Sequence, residues 1–165
     1  MIVDIVIVLI AVGGIALAIN YFNDNLLSEK NKISIKESID LANLPIITLQ
    51  EGDLKLNFLL DSGSTNSHIS ESCAETLLGI PVTINEFNYL TSTGEDTVSK
   101  MIESVLKYKN KEFKTNLLVN KGLDSAFSEI KKESGVQLHG ILGSDFLREH
   151  KYTLDFSKLA VYYKK

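Results

Sequence analysis

The residues of this chain best suited to chemistry lie in one short stretch, Leu59-Leu60-Asp61-Ser62-Gly63-Ser64-Thr65-Asn66-Ser67-His68-Ile69-Ser70. An apolar run delivers a single carboxylate into a turn rich in hydroxyls. A carboxylate placed this way can exchange a proton with water, and Ser62, Ser64, Thr65 and Ser67 can satisfy a buried turn or the carboxylate itself. Gly63 permits a backbone that other residues resist and leaves room for a close neighbour. Alone, Asp-Ser-Gly reads equally well as a turn closing a hairpin. The residues before it say more. Leu54, Leu56, Phe58 and Leu60 alternate with Lys55, Asn57 and Leu59, the period-two pattern of a partly buried strand. Asp61 therefore falls at a strand end, where sites tend to be built.

A second stretch supplies context: His139-Gly140-Ile141-Leu142-Gly143-Ser144-Asp145-Phe146-Leu147-Arg148-Glu149-His150, then Tyr152-Thr153-Leu154-Asp155-Phe156. In this order the two stretches resemble the retropepsin-like aspartic proteases, the family of retroviral and retrotransposon proteases. The first matches the family's apolar-apolar-Asp-Thr/Ser-Gly loop and the Ser-x-Ile after it. The second matches the paired apolar residues and Gly that flank that loop, then a short helix and final strand. The resemblance runs from Leu44 to the C-terminus. It implies a mainly β fold, a single-lobe acid-protease closed β-barrel with short helices.

The resemblance also implies roles. Asp61 would hold and activate the water as catalytic residue. Ser62 would brace the loop across a dimer axis, Gly63 would donate its N–H to the carboxylate, and the Ser64 hydroxyl would bond the outer oxygen of Asp61. Ile141, Leu142 and Gly143 would pack beneath the loop. Thr91, Ser92, Thr93 and Gly94, at the polar tip of a hairpin spanning Phe87 to Val98, match the flap that covers substrate. Aspartic proteolysis needs two adjacent carboxylates, one ionised and one protonated, because like charges so close cannot both ionise comfortably. This chain offers one suitable loop. Asp124-Ser125-Ala126 lacks the Gly, Asp145 reads as a helix start, and the domain is too short for two lobes. The mechanism therefore implies a homodimer with two copies of Asp61 on the axis. A different reading keeps the fold as a catalytically silent, membrane-tethered peptide-binding or dimerisation module, since a β-lined groove under a flap binds extended peptides with or without cleavage.

The remaining elements must position these residues. Ile46 to Gln50, a turn at Glu51-Gly52-Asp53 and Leu54 to Leu60 read as a hairpin. Glu71 to Leu78 reads as a short helix capped by Ser70 and ended by Gly79 and Pro81. Val105 to Tyr108 and Phe113 to Val119 read as strands around Asn110-Lys111. Leu123 to Glu133 has helical spacing with Gly135 just past its end, and reads as a surface insertion.

Residues 2–22 are apolar except for Asp4 and Asn20, long enough to cross a bilayer as a helix. Ala16-Leu17-Ala18 fits a signal cleavage site, but no Lys or Arg precedes the apolar core, which favours an anchor. The expected organisation is a single-pass transmembrane anchor over 1–22, a linker over 23–32 and the protease domain over 33–165. Lys30, Lys32 and Lys36 follow the span and none precedes it, placing that domain in the cytoplasm by the positive-inside bias. Of 165 residues, the net charge is −4, which gives no electrostatic reason to expect nucleic acid as a partner. With one cysteine, Cys73, and scattered His68, His139 and His150, no metal site or cofactor is expected. The expected partners are a second copy of the chain, a peptide or protein substrate, and the membrane.

Overall fold

The computed structural model describes residues 31–75, 81–91 and 94–163. The expected transmembrane anchor over 1–22 and nearly all of the linker lie outside them. Among the described residues no helix is long and apolar enough to cross a membrane.

A ring of six strands carries the fold. The hairpin β2 (Ile46–Glu51) and β3 (Leu54–Leu60) pairs antiparallel from Ile46↔Leu59 to Glu51↔Leu54, with Gly52 at φ 57° in its turn. β3 then lies parallel to β8 (Gly140–Leu142), β8 antiparallel to β4 (His68–Ser70), β4 parallel to β7 (Lys111–Asn120), and β7 antiparallel to β6 (Gly94–Tyr108). The pair Gln50↔Lys107 returns β6 to β2 and closes the barrel. β5 (Pro81–Thr91) adds to β6 outside the ring. Closure removes the sheet edges that would otherwise template aggregation.

Alternation in the sequence becomes the core. Leu56, Phe58 and Leu60 of β3 are buried with Leu49, Ile69, Ile102, Leu106, Phe113, Leu117 and Leu142 in one cluster, while Leu54, next to the turn, is exposed. Burying a side chain such as Phe58 or Phe113 contributes about 1.5–3 kcal/mol.

A second, three-stranded sheet was not expected. β1 (Lys32–Ser34) pairs antiparallel with β10 (Ala160–Tyr162), which pairs with β9 (Thr153–Asp155). Asn31 is buried and its carbonyl accepts the Tyr163 N–H at 3.1 Å, so the last two residues of the expected linker belong to the fold. α1 (Lys36–Ala42) follows β1. Its Ser38 hydroxyl lies within hydrogen-bond reach of the Ile35, Leu44 and Ile46 carbonyls and accepts the Ile46 N–H at 3.0 Å, fixing the entry to β2. Rings join the two sheets: Phe113 meets Tyr163 at 5.3 Å and Tyr152 at 5.6 Å, and Tyr152 stacks on Tyr163 at 5.7 Å.

The helix starting at Glu71 runs to Ala74 (α2), with the Ser70 hydroxyl accepting the Cys73 N–H at 3.3 Å as a cap. Its expected continuation to Leu78 includes residues 76–78, outside the described residues. α3 (Gly122–Ser134) ends at Gly135 in the left-handed conformation, φ 76°, as a C-cap requires. It is less of a surface insertion than its sequence suggested. Phe127 is buried with Ile46 and Leu138 in a small second core, so the helix seals the outside of the β2–β3–β8 corner.

Candidate active site

The end of β3 delivers Asp61 to the barrel rim, and β8 holds it there. The Asp61 N–H donates to the Leu142 carbonyl at 3.1 Å, extending the parallel β3–β8 register by one bond. The Ser64 N–H closes the turn onto the Asp61 carbonyl at 3.2 Å, and the Gly63 N–H donates to Asp61 Oδ1 at 2.9 Å. A Cβ at Gly63 would stand 3.1 Å from that same oxygen, so a side chain there would crowd the carboxylate. Asp61 is half-buried, and its Oδ2 takes no hydrogen bond from the described residues. One oxygen is thus fixed by the loop backbone.

The far side of the loop is fastened more heavily, by a residue the sequence did not single out for this role. Asp145, in the first turn of α4 (Ser144–Glu149), does begin its helix: its Oδ1 accepts the Phe146 N–H at 2.7 Å. It also accepts the Ser67 hydroxyl at 2.7 Å on Oδ1 and the Ser67 N–H at 2.9 Å on Oδ2. The Ser67 hydroxyl in turn accepts the Gly143 N–H at 3.0 Å. Further bonds run from the Ser144 N–H to the Ser64 carbonyl at 2.8 Å and from the Asp145 N–H to the Thr65 carbonyl at 3.3 Å. Residues 64–67 therefore sit against the β8–α4 corner through both backbone and side chains. A Ser directly before the strand His68–Ser70, with an Asp at a helix start in the paired stretch, was the available signal.

Gly140 and Gly143 make this contact possible. A Cβ on Gly143 would lie 2.5 Å from the Asn66 carbonyl oxygen and 2.8 Å from that of Ser64. On Gly140 it would lie 2.4 Å from the His68 carbonyl oxygen and 2.7 Å from the Phe58 ring. Of the residues expected beneath the loop, Leu142 is fully buried, Ile141 packs against the second core, and Gly143 touches the loop backbone. Ser62 is exposed beside Asp61. The Ser64 hydroxyl is used differently from expectation. It donates to the Asn66 carbonyl at 2.7 Å rather than to the Asp61 carboxylate, because the tight turn brings that carbonyl closer. At the flap position Thr91 pairs with Gly94 at the end of the β5–β6 hairpin. Ser92 and Thr93 lie outside the described residues.

The other candidate groups stand elsewhere. Asp124 accepts the Ser72 hydroxyl, joining α3 to α2. His68 is buried in the β4 pairing. His139 accepts the Asn57 N–H on Nδ1 at 2.9 Å, while its own N–H donates to the Asn57 carbonyl. Burial lowers its pKa below 6.5, aided by Lys131, against a smaller opposing backbone hydrogen bond with Asn57. Among the described residues no group of three His, Cys, Asp or Glu is placed to hold a metal ion.

Residues 47–146 match the family model described as aspartyl protease. The chain belongs to the aspartyl protease family. The matched span starts in β2 and ends in α4, and so contains both the Asp61 loop and the corner that fastens it. Among solved structures the chain is similar to an EIAV protease complexed with an inhibitor, at 22% identity over 68% of this chain and 93% of that one, with a TM-score of 0.49. No curated protein matches it.

Proposed function

We propose that the chain is an aspartic endopeptidase that cleaves peptide or protein substrates as a homodimer, with one Asp61 from each copy flanking the attacking water. The observation that carries this reading is the state of the carboxylates around the loop. Among the described residues Asp61 Oδ2 takes no hydrogen bond, whereas Asp145, the nearest alternative in the paired stretch, is engaged by Ser67 and Phe146. A family member with one available carboxylate per chain needs a second chain. In that pair the ionised Asp61 takes a proton from water as the water oxygen attacks the scissile carbonyl carbon. The protonated Asp61 gives its proton to the carbonyl oxygen. The resulting tetrahedral diol collapses, the amide nitrogen is protonated, and the C–N bond breaks. Ser62 braces the two loops across the axis, and the hairpin tip at Thr91 to Gly94 closes over the substrate backbone.

The test is cleavage of a diverse peptide library by the full chain beside Asp61→Asn. Cleavage by the wild type that is lost in Asp61→Asn is the expected result. Undiminished cleavage by Asp61→Asn would move the chemistry elsewhere. Tight peptide binding without turnover by the wild type would favour the silent binding module.

In the same reading residues 1–22 anchor the chain in a single pass and the protease domain faces the cytoplasm. Tethering raises the effective concentration of the two halves of the site without any new contact. The full chain should stay with membranes through high-salt and alkaline washes. A mature N-terminus at Ile19 would instead identify a cleaved signal.

A further inference from the structure

Charge on this acidic chain is unevenly placed. Lys107 and Lys109 flank Tyr108 at the end of β6, and Lys111 and Lys114 follow on β7. Lys55 of β3 falls in the same row as Lys107, because Gln50 of β2 pairs with both. Lys55, Lys107, Lys109 and Lys114 are exposed and Lys111 is partly so. The one acid on the hairpin end is Glu112, ion-paired with Lys107 at 2.9 Å. Of the neighbouring acids, Glu51 holds the buried Ser104 hydroxyl at 2.6 Å, Asp53 lies on the β2–β3 turn, and Glu103 lies further along β6. Lys55, Lys107 and Lys109 border a shallow depression between Thr48, Asn57 and Tyr108. Exposed Leu54 is adjacent to Lys55, and the Lys109 ammonium sits 5.2 Å from the Tyr108 ring centre.

This face lies where the N-terminal segment joins the fold. The Asn31 carbonyl accepts the Tyr163 N–H, and the Tyr163 ring meets the Tyr108 ring edge-on at 6.3 Å. The path from the start of the folded unit to the lysine hairpin is therefore one hydrogen bond and one ring contact.

We propose that the lysine face of Lys55, Lys107, Lys109 and Lys114 rests on the anionic headgroups of the bilayer that carries the N-terminal segment, so that the domain is oriented as well as tethered. Its position beside the chain entry rests on the anchor reading above. The charge complementarity and the contact of a lysine with the Tyr108 ring belong to the patch itself. Each lysine near an anionic leaflet strengthens partition by about fivefold, and salt screens that gain.

The experiment uses the full chain with bilayers of phosphatidylcholine alone or mixed with phosphatidylserine. Flotation reports attachment, and amine labelling read lysine by lysine reports contact. Lys107, Lys109 and Lys114 should label several-fold more slowly on the anionic bilayer, and high salt should abolish the difference. Lys121, just past the other end of β7, serves as the internal control and should not respond. The double variant K55E/K109E should remove the protection of Lys114. Flotation with neutral bilayers and no lipid-dependent labelling would keep the anchor and overturn the patch. Salt-sensitive flotation with anionic bilayers alone, lost in K55E/K109E, would keep the patch and overturn the anchor. Protection by soluble polyglutamate but not by anionic bilayers would assign the face to an acidic protein instead and overturn the proposal.

Discussion

Replacing Gly143 by Ala tests how firmly the catalytic loop depends on the β8–α4 corner. Gly143 has φ −85° and ψ −173°, an extended conformation open to alanine, so the substitution brings no backbone strain of its own. Its whole effect is steric. The new Cβ would stand 2.5 Å from the Asn66 carbonyl oxygen, 2.7 Å from the Asn66 carbonyl carbon and 2.8 Å from the Ser64 carbonyl oxygen, all of them backbone atoms. Reaching the 3.4 Å of ordinary contact requires the loop to retreat by about 0.9 Å. That retreat strains the Ser144 to Ser64 bond at 2.8 Å and the Gly143 to Ser67 bond at 3.0 Å. Overpacking of this kind costs about 1–3 kcal/mol, and each of the two weakened hydrogen bonds adds about 0.5–1.5 kcal/mol, giving an expected loss of about 2–6 kcal/mol. A displacement near 1 Å in a group that must align with a reacting bond lowers the rate on the order of a hundredfold. Urea unfolding measures the first effect, and peptide cleavage per folded molecule measures the second. Gly52→Ala is the comparison, because no atom lies within 4 Å of its Cβ and its cost comes from φ 57° alone. A Gly143→Ala protein within about 0.5 kcal/mol of wild type and fully active would refute the claim that the corner sets the position of Asp61.

Three further outcomes follow from the same geometry. Asp145→Ala removes the acceptor of the Ser67 and Phe146 N–H groups and should cost about 2–4 kcal/mol in urea unfolding, with Asp145→Asn milder because one carbonyl remains. A mixed dimer of wild-type and Asp61→Asn chains should be inactive, and the wild type should show a bell-shaped pH profile on a single peptide. His139 has its folded pKa lowered by burial, so on acidification the unfolded chain takes up the proton first. Its contribution to stability is therefore full above about pH 6.5 and is lost as pH falls through the folded value. The urea midpoint should drop on acidification, and His139→Asn, whose side-chain oxygen can accept the Asn57 N–H without titrating, should flatten that slope.

The elements nearest Asp61 were readable because their signals are local. Alternation over Leu54 to Leu60, the turn at Gly52, the Ser70 cap and Gly135 past α3 each act within a few residues, and each has its counterpart in the fold. What escaped depends on distant partners. Ile33 and Ile35 stand among polar residues with no strand pattern around them, yet both are buried, with β1 paired to β10 some 128 residues later in the sequence. Asp145 reads as a helix-starting acid and is one, but its bonds to Ser67 cross 78 residues of sequence. The Ser64 hydroxyl had a carboxylate and a carbonyl within local reach, and only the closed turn decides between them. Phe127 and Ile130 show helical spacing without saying which surface they cover.

The pairing of Lys32 with Tyr162 has a consequence for how the protein is made. β1 leaves the ribosome early and its only strand partner among the described residues leaves last. At about 5–20 residues per second, β1 waits on the order of ten seconds for β10. Until then Ile33 and the strand's backbone groups stay unpaired, and the chain must close its longest loop as a late step. Ribosome-bound chains halted before Ala160 should therefore remain protease-sensitive at β1 even where the β2–β3 hairpin has already become protected, and emergence of β10 from the ribosome should bring the two strands together.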